Sequence, residues 1–149
     1  MPEIRKLEPD DFKYLLVIET ESFFSGYSPY FIKMIPIIYS NTSFISVQGR
    51  SAQGYVAAAL DQNNPQRAWI LSLAVRPKYR GCSLGERLML RALDSLQELK
   101  VQEILLSVAP ENVQAVNLYK KLDFTEGKLI HDFFGPGEHR MLMKKTLTI

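Results

Sequence analysis

A single cysteine, Cys82, among 149 residues cannot close an internal disulfide, so nothing in the chain demands an oxidising compartment. No apolar run approaches the ~20 residues needed to span a bilayer. The first residues, Met1-Pro2-Glu3-Ile4-Arg5, lack the basic-then-apolar layout of a signal peptide. Histidine is scarce, and His131 and His139 lack the partner spacing of a metal site. Neither sign of charge dominates: eighteen Lys and Arg face sixteen Asp and Glu, a net of +2, which argues against nucleic acid as the main partner. Internal repeats, linkers and low-complexity tracts are also missing. These absences lead us to expect a cytoplasmic protein with no metal and with neither a membrane nor a nucleic acid as partner. They leave monomer and homodimer equally open.

What remains is ordinary globular composition, 46% hydrophobic and 23% charged, in a length that suits one domain over residues 1–149. The charge is unevenly spread. Residues 1–75 carry six basic and seven acidic groups (−1), whereas residues 76–149 carry twelve and nine (+3). Arg76, Lys78, Arg80, Arg87 and Arg91 fall within sixteen residues, opposed only by Glu86. Such a local cluster suits a compact polyanion.

The periodicity predicts a short strand over Glu3–Leu7, then a turn whose acids start a helix carrying Phe12, Leu15, Leu16, Ile18 and Glu19 at helical spacing. An aromatic loop over Ser22–Pro29 leads to a helix over Tyr30–Tyr39, which Pro36 should kink or end. Strands follow at Thr42–Gln48, Gly54–Leu60 and Ala68–Val75, the last apolar on nearly every residue as if covered on both faces. Leu84, Leu88, Ala92, Leu96 and Leu99 form the stripe of a long helix over Ser83–Leu99. Glu103–Val108 reads as a buried strand and Val113–Leu122 as a helix. Two strands, Phe124–Ile130 and Arg140–Leu147, flank the turn Gly135-Pro136-Gly137. The class is a mixed α/β (α+β) domain.

The chemistry concentrates in Leu71-Ser-Leu-Ala-Val-Arg-Pro-Lys-Tyr-Arg80-Gly-Cys-Ser-Leu-Gly85-Glu86. A buried strand runs into a basic loop with two glycines, and the loop opens a long helix. Small residues let backbone N–H groups point at a ligand, and the helix start adds positive dipole. Physically this is a cradle for phosphate or pyrophosphate. The segment has neither the Gly-Lys-Ser/Thr of a Walker loop nor the Gly-x-Gly-x-x-Gly of dinucleotide binders.

These residues resemble motif A of the GCN5-related N-acetyltransferases (GNAT), Arg/Gln-x-x-Gly-x-Gly/Ala, with Arg80 and Gly85 at its ends and Ser83 replacing the central glycine. Downstream, Leu106-Ser-Val-Ala-Pro-Glu-Asn112 and Ala115-Val-Asn-Leu-Tyr119-Lys-Lys-Leu-Asp-Phe124 are similar to the family's Asn-x-x-Ala-x-x-Leu-Tyr-x-x-Leu-Gly-Phe stretch, with Asp123 where glycine is usual. Phe133-Phe134-Gly-Pro-Gly-Glu138 resembles the closing segment of RimI-type and archaeal N-terminal acetyltransferases. The likeness covers roughly residues 68–145. It implies a twisted, mostly antiparallel sheet of seven strands, mixed, splayed between the fourth and fifth, with about four helices and acetyl-CoA as cofactor. It further implies that Leu73, Ala74 and Val75 hold the pantetheine and thioester by their backbone. Arg80, Gly81, Cys82, Ser83, Leu84, Gly85 and Glu86 would wrap the pyrophosphate, with Asn112 and Tyr119 also facing the cofactor.

The implied reaction is attack of a neutral amine on the thioester, with a Val75 N–H as oxyanion donor and Tyr119 as the acid that protonates departing CoA. By itself Tyr119 would read as a core-edge aromatic; the Asn112–Tyr119 spacing favours the acid. The glutamate that RimI-type enzymes carry on the fifth strand is Ser107 here, so water-mediated deprotonation is the default, with Glu111 and Glu21 as remote candidates. An α-amine of pKa ~8 sheds its proton at pH 7 for ~1.4 kcal/mol and a lysine for ~4.6 kcal/mol. A weak base therefore leans towards a peptide or protein N-terminus. Phe24, Tyr27, Tyr30 and Phe31 would form one wall of the acceptor site, and Phe133, Phe134 and His139, with Ser107, the other. A small amine such as an amino acid or polyamine is the competing acceptor, and a CoA-binding sensor without activity is the alternative of a different class. Cys82 reads as a small loop residue.

Overall fold

The computed structural model describes residues 2–22 and 27–147. Its strands are β1 (Glu3–Lys6), β2 (Phe44–Gln48), β3 (Ser51–Asp61), β4 (Asn64–Val75), β5 (Glu103–Val108), β6 (Thr125–Ile130) and β7 (Arg140–Thr146). Its helices are α1 (Phe12–Ser22), α2 (Pro29–Ile38), α3 (Leu84–Glu98) and α4 (Val113–Lys121). One sheet holds all seven strands in the order β1-β2-β3-β4-β5-β7-β6. Every pairing with a described register is antiparallel except β4–β5, which is parallel. That parallel ladder joins Arg67–Ile70 to Glu103–Leu106 and stops, although β4 runs on to Val75 and β5 to Val108. The mixed sheet and four helices are those implied by the family resemblance.

By internal contacts the chain divides into two units. One comprises residues 1–59 and 71–99, the other residues 60–70 and 100–149. In the first, Leu15, Ile18, Ile32 and Ile35 of α1 and α2 are buried with Ile45, Tyr55, Ala57 and Ala74 of the strands. α1 is entered through a capping box, in which the Glu8 N–H donates to Asp11 at 2.8 Å while Arg5 grips the same carboxylate with two bonds of 2.9 Å. α3 buries Leu84, Leu88, Met89, Ala92, Leu93 and Leu96, each worth about 1.5–3 kcal/mol for the larger side chains. In the second unit the buried residues include Ile104, Leu106, Val116, Leu122, Phe124 and Met143.

Of the two outcomes expected at Pro36, a helix end does not occur: α2 continues to Ile38. Proline here forfeits only the one bond to the Ile32 carbonyl, and its ring is buried beside Ile32 and Ile35, so packing outweighs the local penalty. β4 is not covered equally on both faces: from Ala68 to Val75 burial alternates, with Ala68, Ile70, Ser72 and Ala74 buried and the residues between them half-buried.

Candidate acetyl-CoA site

In the first unit, the end of β4 is where the chemistry-bearing segments meet. Gly54 of β3 lies so close that a Cβ there would stand 2.8 Å from the Ala74 carbonyl oxygen and 3.2 Å from the Val75 Cα. Backbone cannot yield as a flexible side chain would. Gly54→Ala should therefore destabilise by about 1–3 kcal/mol and lower Tm by roughly 3–10 °C. A thermal melt checks this, and an unchanged Tm would mean the two strands separate freely.

After Val75 a 3-10 turn, Pro77–Tyr79, leads to the loop Arg80–Ser83 and the first turn of α3. Gly81 has φ +86° and Ser83 φ +59°, both left-handed. Ser83 thus takes the backbone conformation that explains glycine at this motif position. Its side chain does not cap the helix. Among the described residues, the N–H groups of Gly81 through Gly85 donate to no carbonyl or side chain; the first helical bond is Arg87 N–H to the Ser83 carbonyl at 3.1 Å. Five consecutive uncommitted amides at a helix start are an anion cradle.

The basic cluster is smaller than its sequence spacing suggests. Arg76 is committed to Glu21 at 3.0 Å and to the Ala52 carbonyl at 3.0 Å. Arg91 lies over the Phe44 ring, 5.2 Å from its centroid. Arg80 donates through Nε to the Val75 carbonyl at 2.9 Å, which folds the loop back onto the strand end, and its two terminal nitrogens have no hydrogen bond or ion pair among the described residues. Glu21, a remote base candidate, is spent on Arg76.

Among the aromatic wall residues, Tyr27 donates to the Leu71 carbonyl at 2.5 Å and stacks on Phe31 at 4.8 Å. Tyr30 is 87% exposed on α2, and Phe24 lies outside the described residues. Cys82 is exposed in the loop. Sequence reasoning passed over one further group, Glu19 with Tyr55 and Ser72. The signal was there: an acid on the apolar stripe of α1.

In the second unit, Tyr119 sits in the last turn of α4 at 7% exposure, its ring edge-on to Phe124 at 5.9 Å. The helix ends in a Schellman arrangement. The Phe124 N–H donates to the Tyr119 carbonyl at 2.9 Å and the Asp123 N–H to that of Lys120 at 3.0 Å, with Asp123 at φ +69°. This explains both the usual glycine at this position and the Tyr119–Phe124 contact. No hydrogen bond to the Tyr119 hydroxyl occurs among the described residues, yet no fully sealed side-chain oxygen lacks a partner, so the hydroxyl keeps a path to solvent. Burial pushes the phenol up to about 12, which keeps it protonated. Asn112 caps α4, its side chain accepting from the Ala115 N–H at 3.2 Å. Ser107 is half-buried on β5, paired with Leu142.

In the β6–β7 hairpin, Phe133 (40% exposed) and Phe134 (49%) stand edge-to-face at 4.7 Å, with Arg140 over Phe134. His139 accepts the Asp132 N–H on Nδ1 at 3.0 Å and meets the His131 ring at 4.9 Å. No group of three or more metal-ligating side chains occurs among the described residues. No helix among them is long and apolar enough to cross a membrane.

Fold and loop together define an α/β domain in which a strand, a loop of uncommitted amides and a long helix follow one another. Residues 4–124 match the acetyltransferase (GNAT) family. The chain belongs to that family, the N-acetyltransferases that take acetyl from acetyl-CoA. It is 32% identical to an N-alpha-acetyltransferase of Sulfurisphaera tokodaii over 83 residues, 55% of this chain and 50% of that one, so it matches about half the length of that relative. It is 26% identical to spermidine N(1)-acetyltransferase of Escherichia coli K12, over 93% of this chain and 81% of the other. Its fold is shared with Ard1 from Thermoplasma volcanium at TM-score 0.91 and 20% identity, over 99% of both chains.

Proposed function

We propose that the chain acetylates a primary amine from acetyl-CoA, with a peptide or protein N-terminal α-amine as acceptor. The observation that carries the reading is the row of uncommitted amides from Gly81 to Gly85, which follows β4 and the turn Pro77–Tyr79 and opens α3. In this reading the pyrophosphate lies on Arg80 to Glu86, and the backbone of Leu73 to Val75 follows the pantetheine to the thioester. The Val75 N–H donates to the oxyanion as the amine attacks. Tyr119 protonates the departing sulfur, and Asn112 keeps to the cofactor side. The acceptor residues of this reading are Tyr27, Tyr30 and Phe31 in the first unit and Ser107, Phe133, Phe134 and His139 in the second; Phe24, assigned with the first group from sequence, lies outside the described residues. A cytoplasmic setting is part of the proposal, since there the exposed Cys82 stays reduced.

The α-amine is favoured on acidity: with serine at the position of the strand-five glutamate, an acceptor of pKa ~8 asks less of the site than a lysine at ~10.4. The similarity to an N-alpha-acetyltransferase supports the same choice. Similarity to a spermidine enzyme over most of both chains supports the second reading, a small polyamine acceptor. A CoA-release assay over free peptides, N-terminally blocked peptides, amino acids and spermidine separates them. We expect turnover on free peptides that blocking abolishes. Turnover with spermidine alone would select the second reading, and tight CoA binding without turnover on any acceptor would mean a sensor.

A further inference from the structure

One buried acid has no part in the site as described. Glu19, on α1, is 4% exposed, and its Oε1 accepts hydrogen bonds from the Tyr55 hydroxyl of β3 and from the Ser72 hydroxyl of β4, the latter at 3.0 Å. Tyr55 is fully buried, whereas Ser72 keeps 8% of its surface. No Lys, Arg or His pairs with this carboxyl among the described residues; the groups facing it are Tyr55 and Ser72, with Tyr27 acting more weakly through Tyr55. Burial raises Glu19 above the usual carboxylate range, against the opposing pull of the two hydroxyls. The Tyr55 phenol is itself pushed well above 10 by burial and by Glu19, so it stays a donor.

An acid without a cation is a costly thing to bury, and a glutamine would accept the same two bonds without the charge. Its place in the strand gives it a use. Ser72 follows Leu71, whose carbonyl Tyr27 holds, and precedes Leu73 to Val75. We propose that Glu19, through Ser72, takes up the proton that the acceptor ammonium must shed before attack. This rests on the reading that the thioester lies along Leu73 to Val75.

The step balances. An N–H bond of the ammonium breaks as its proton passes to the Ser72 Oγ, while the hydroxyl proton of Ser72 moves to Oε1 and makes Glu19 a neutral acid. The freed lone pair forms the C–N bond at the thioester carbon, and the C–S bond then breaks. Tyr119 protonates the sulfur and recovers its proton from the new amide nitrogen. Glu19 returns its own proton to solvent, so one ammonium and one acetyl-CoA give one amide, one CoA thiol and one proton. Glu19 does not touch the substrate; its role is that of a positioning residue acting through Ser72. A carboxyl raised towards neutrality is better matched to this task than an ordinary one.

The test is kcat against pH for wild type, Glu19→Gln and Ser72→Ala, using acetyl-CoA and a peptide with a free N-terminal alanine, and spermidine if the peptide is inert. We expect Glu19→Gln to lose about 10- to 100-fold at pH 6.5 and to come within about 3-fold of wild type at pH 9, where an α-amine of pKa ~8 is already neutral. CoA affinity by calorimetry should stay within about 3-fold, because neither residue reaches the phosphate loop. Ser72→Ala cuts the relay with less change to the core and should give the same pH-dependent loss if Glu19→Gln does not fold. A defect of equal size from pH 6 to 9.5, or no defect, overturns the inference and leaves the acetyltransferase reading standing. Wild-type protein that turns over no acceptor overturns both.

Discussion

Replacing Tyr119 by phenylalanine should lower kcat by about 10²–10³-fold and leave the Kd for acetyl-CoA within a few-fold. The substitution removes one oxygen and keeps the ring that packs on Phe124 and closes the end of α4. The hydroxyl has no protein partner among the described residues, so its removal orphans no donor or acceptor there. In the proposed reaction, what it removes is the proton for the departing thiolate. Burial favours the neutral phenol, whose folded-state pKa of about 12 exceeds its ordinary value near 10. The stability linked to this shift is therefore present below pH 10 and lost as pH rises through 12. Wild-type kcat should accordingly show no descending limb from Tyr119 below about pH 11. Steady-state kinetics with a thiol reagent measures both, and a kcat unchanged in Tyr119→Phe would remove the acid assignment and leave the tyrosine a packing residue.

The second large effect is expected in binding. Gly81→Val should weaken CoA by roughly 30- to 100-fold while shifting Tm by no more than about 2 °C. A Cβ at Gly81 would meet nothing within 4 Å, so no clash is created. The cost is conformational: φ +86° is closed to a β-branched residue, and escape to negative φ turns the amides of Gly81 to Gly85 away from a common point. Because the loop is exposed and makes few bonds of its own, the rest of the fold has little reason to respond. Calorimetry with CoA reads the loss. A short acetyl-thioester donor lacking the pyrophosphate should be used equally well by both proteins, which separates phosphate grip from damage to the thioester site. Equal CoA affinity in the two proteins would mean that this loop does not hold the phosphates.

Gly54 makes a useful contrast with Gly81. At Gly81 the backbone angle alone demands glycine; at Gly54 it is space, with the Ala74 carbonyl 2.8 Å from where a Cβ would sit. One substitution should damage the ligand and spare the fold, and the other should damage both.

The sequence by itself determined the order of strands and helices, the strand–loop–helix of the proposed phosphate cradle and the end of α4. In each case the deciding interactions span only a few residues. The left-handed residue at Asp123 follows from a turn closed within five positions, and the Tyr119–Phe124 contact follows from the same Schellman geometry. Tertiary structure decided the rest. Arg76 and Arg91, close to Arg80 in the chain, are drawn off to Glu21 and Phe44, so adjacency in sequence did not make them ligand residues. α2 runs through Pro36 because buried packing outweighs a local rule. Glu19 meets Tyr55 across 36 positions and Ser72 across 53. Such meetings depend on strand register, where a slip of one residue would turn each side chain to the opposite face, and no local pattern in the chain fixes a register between segments so far apart.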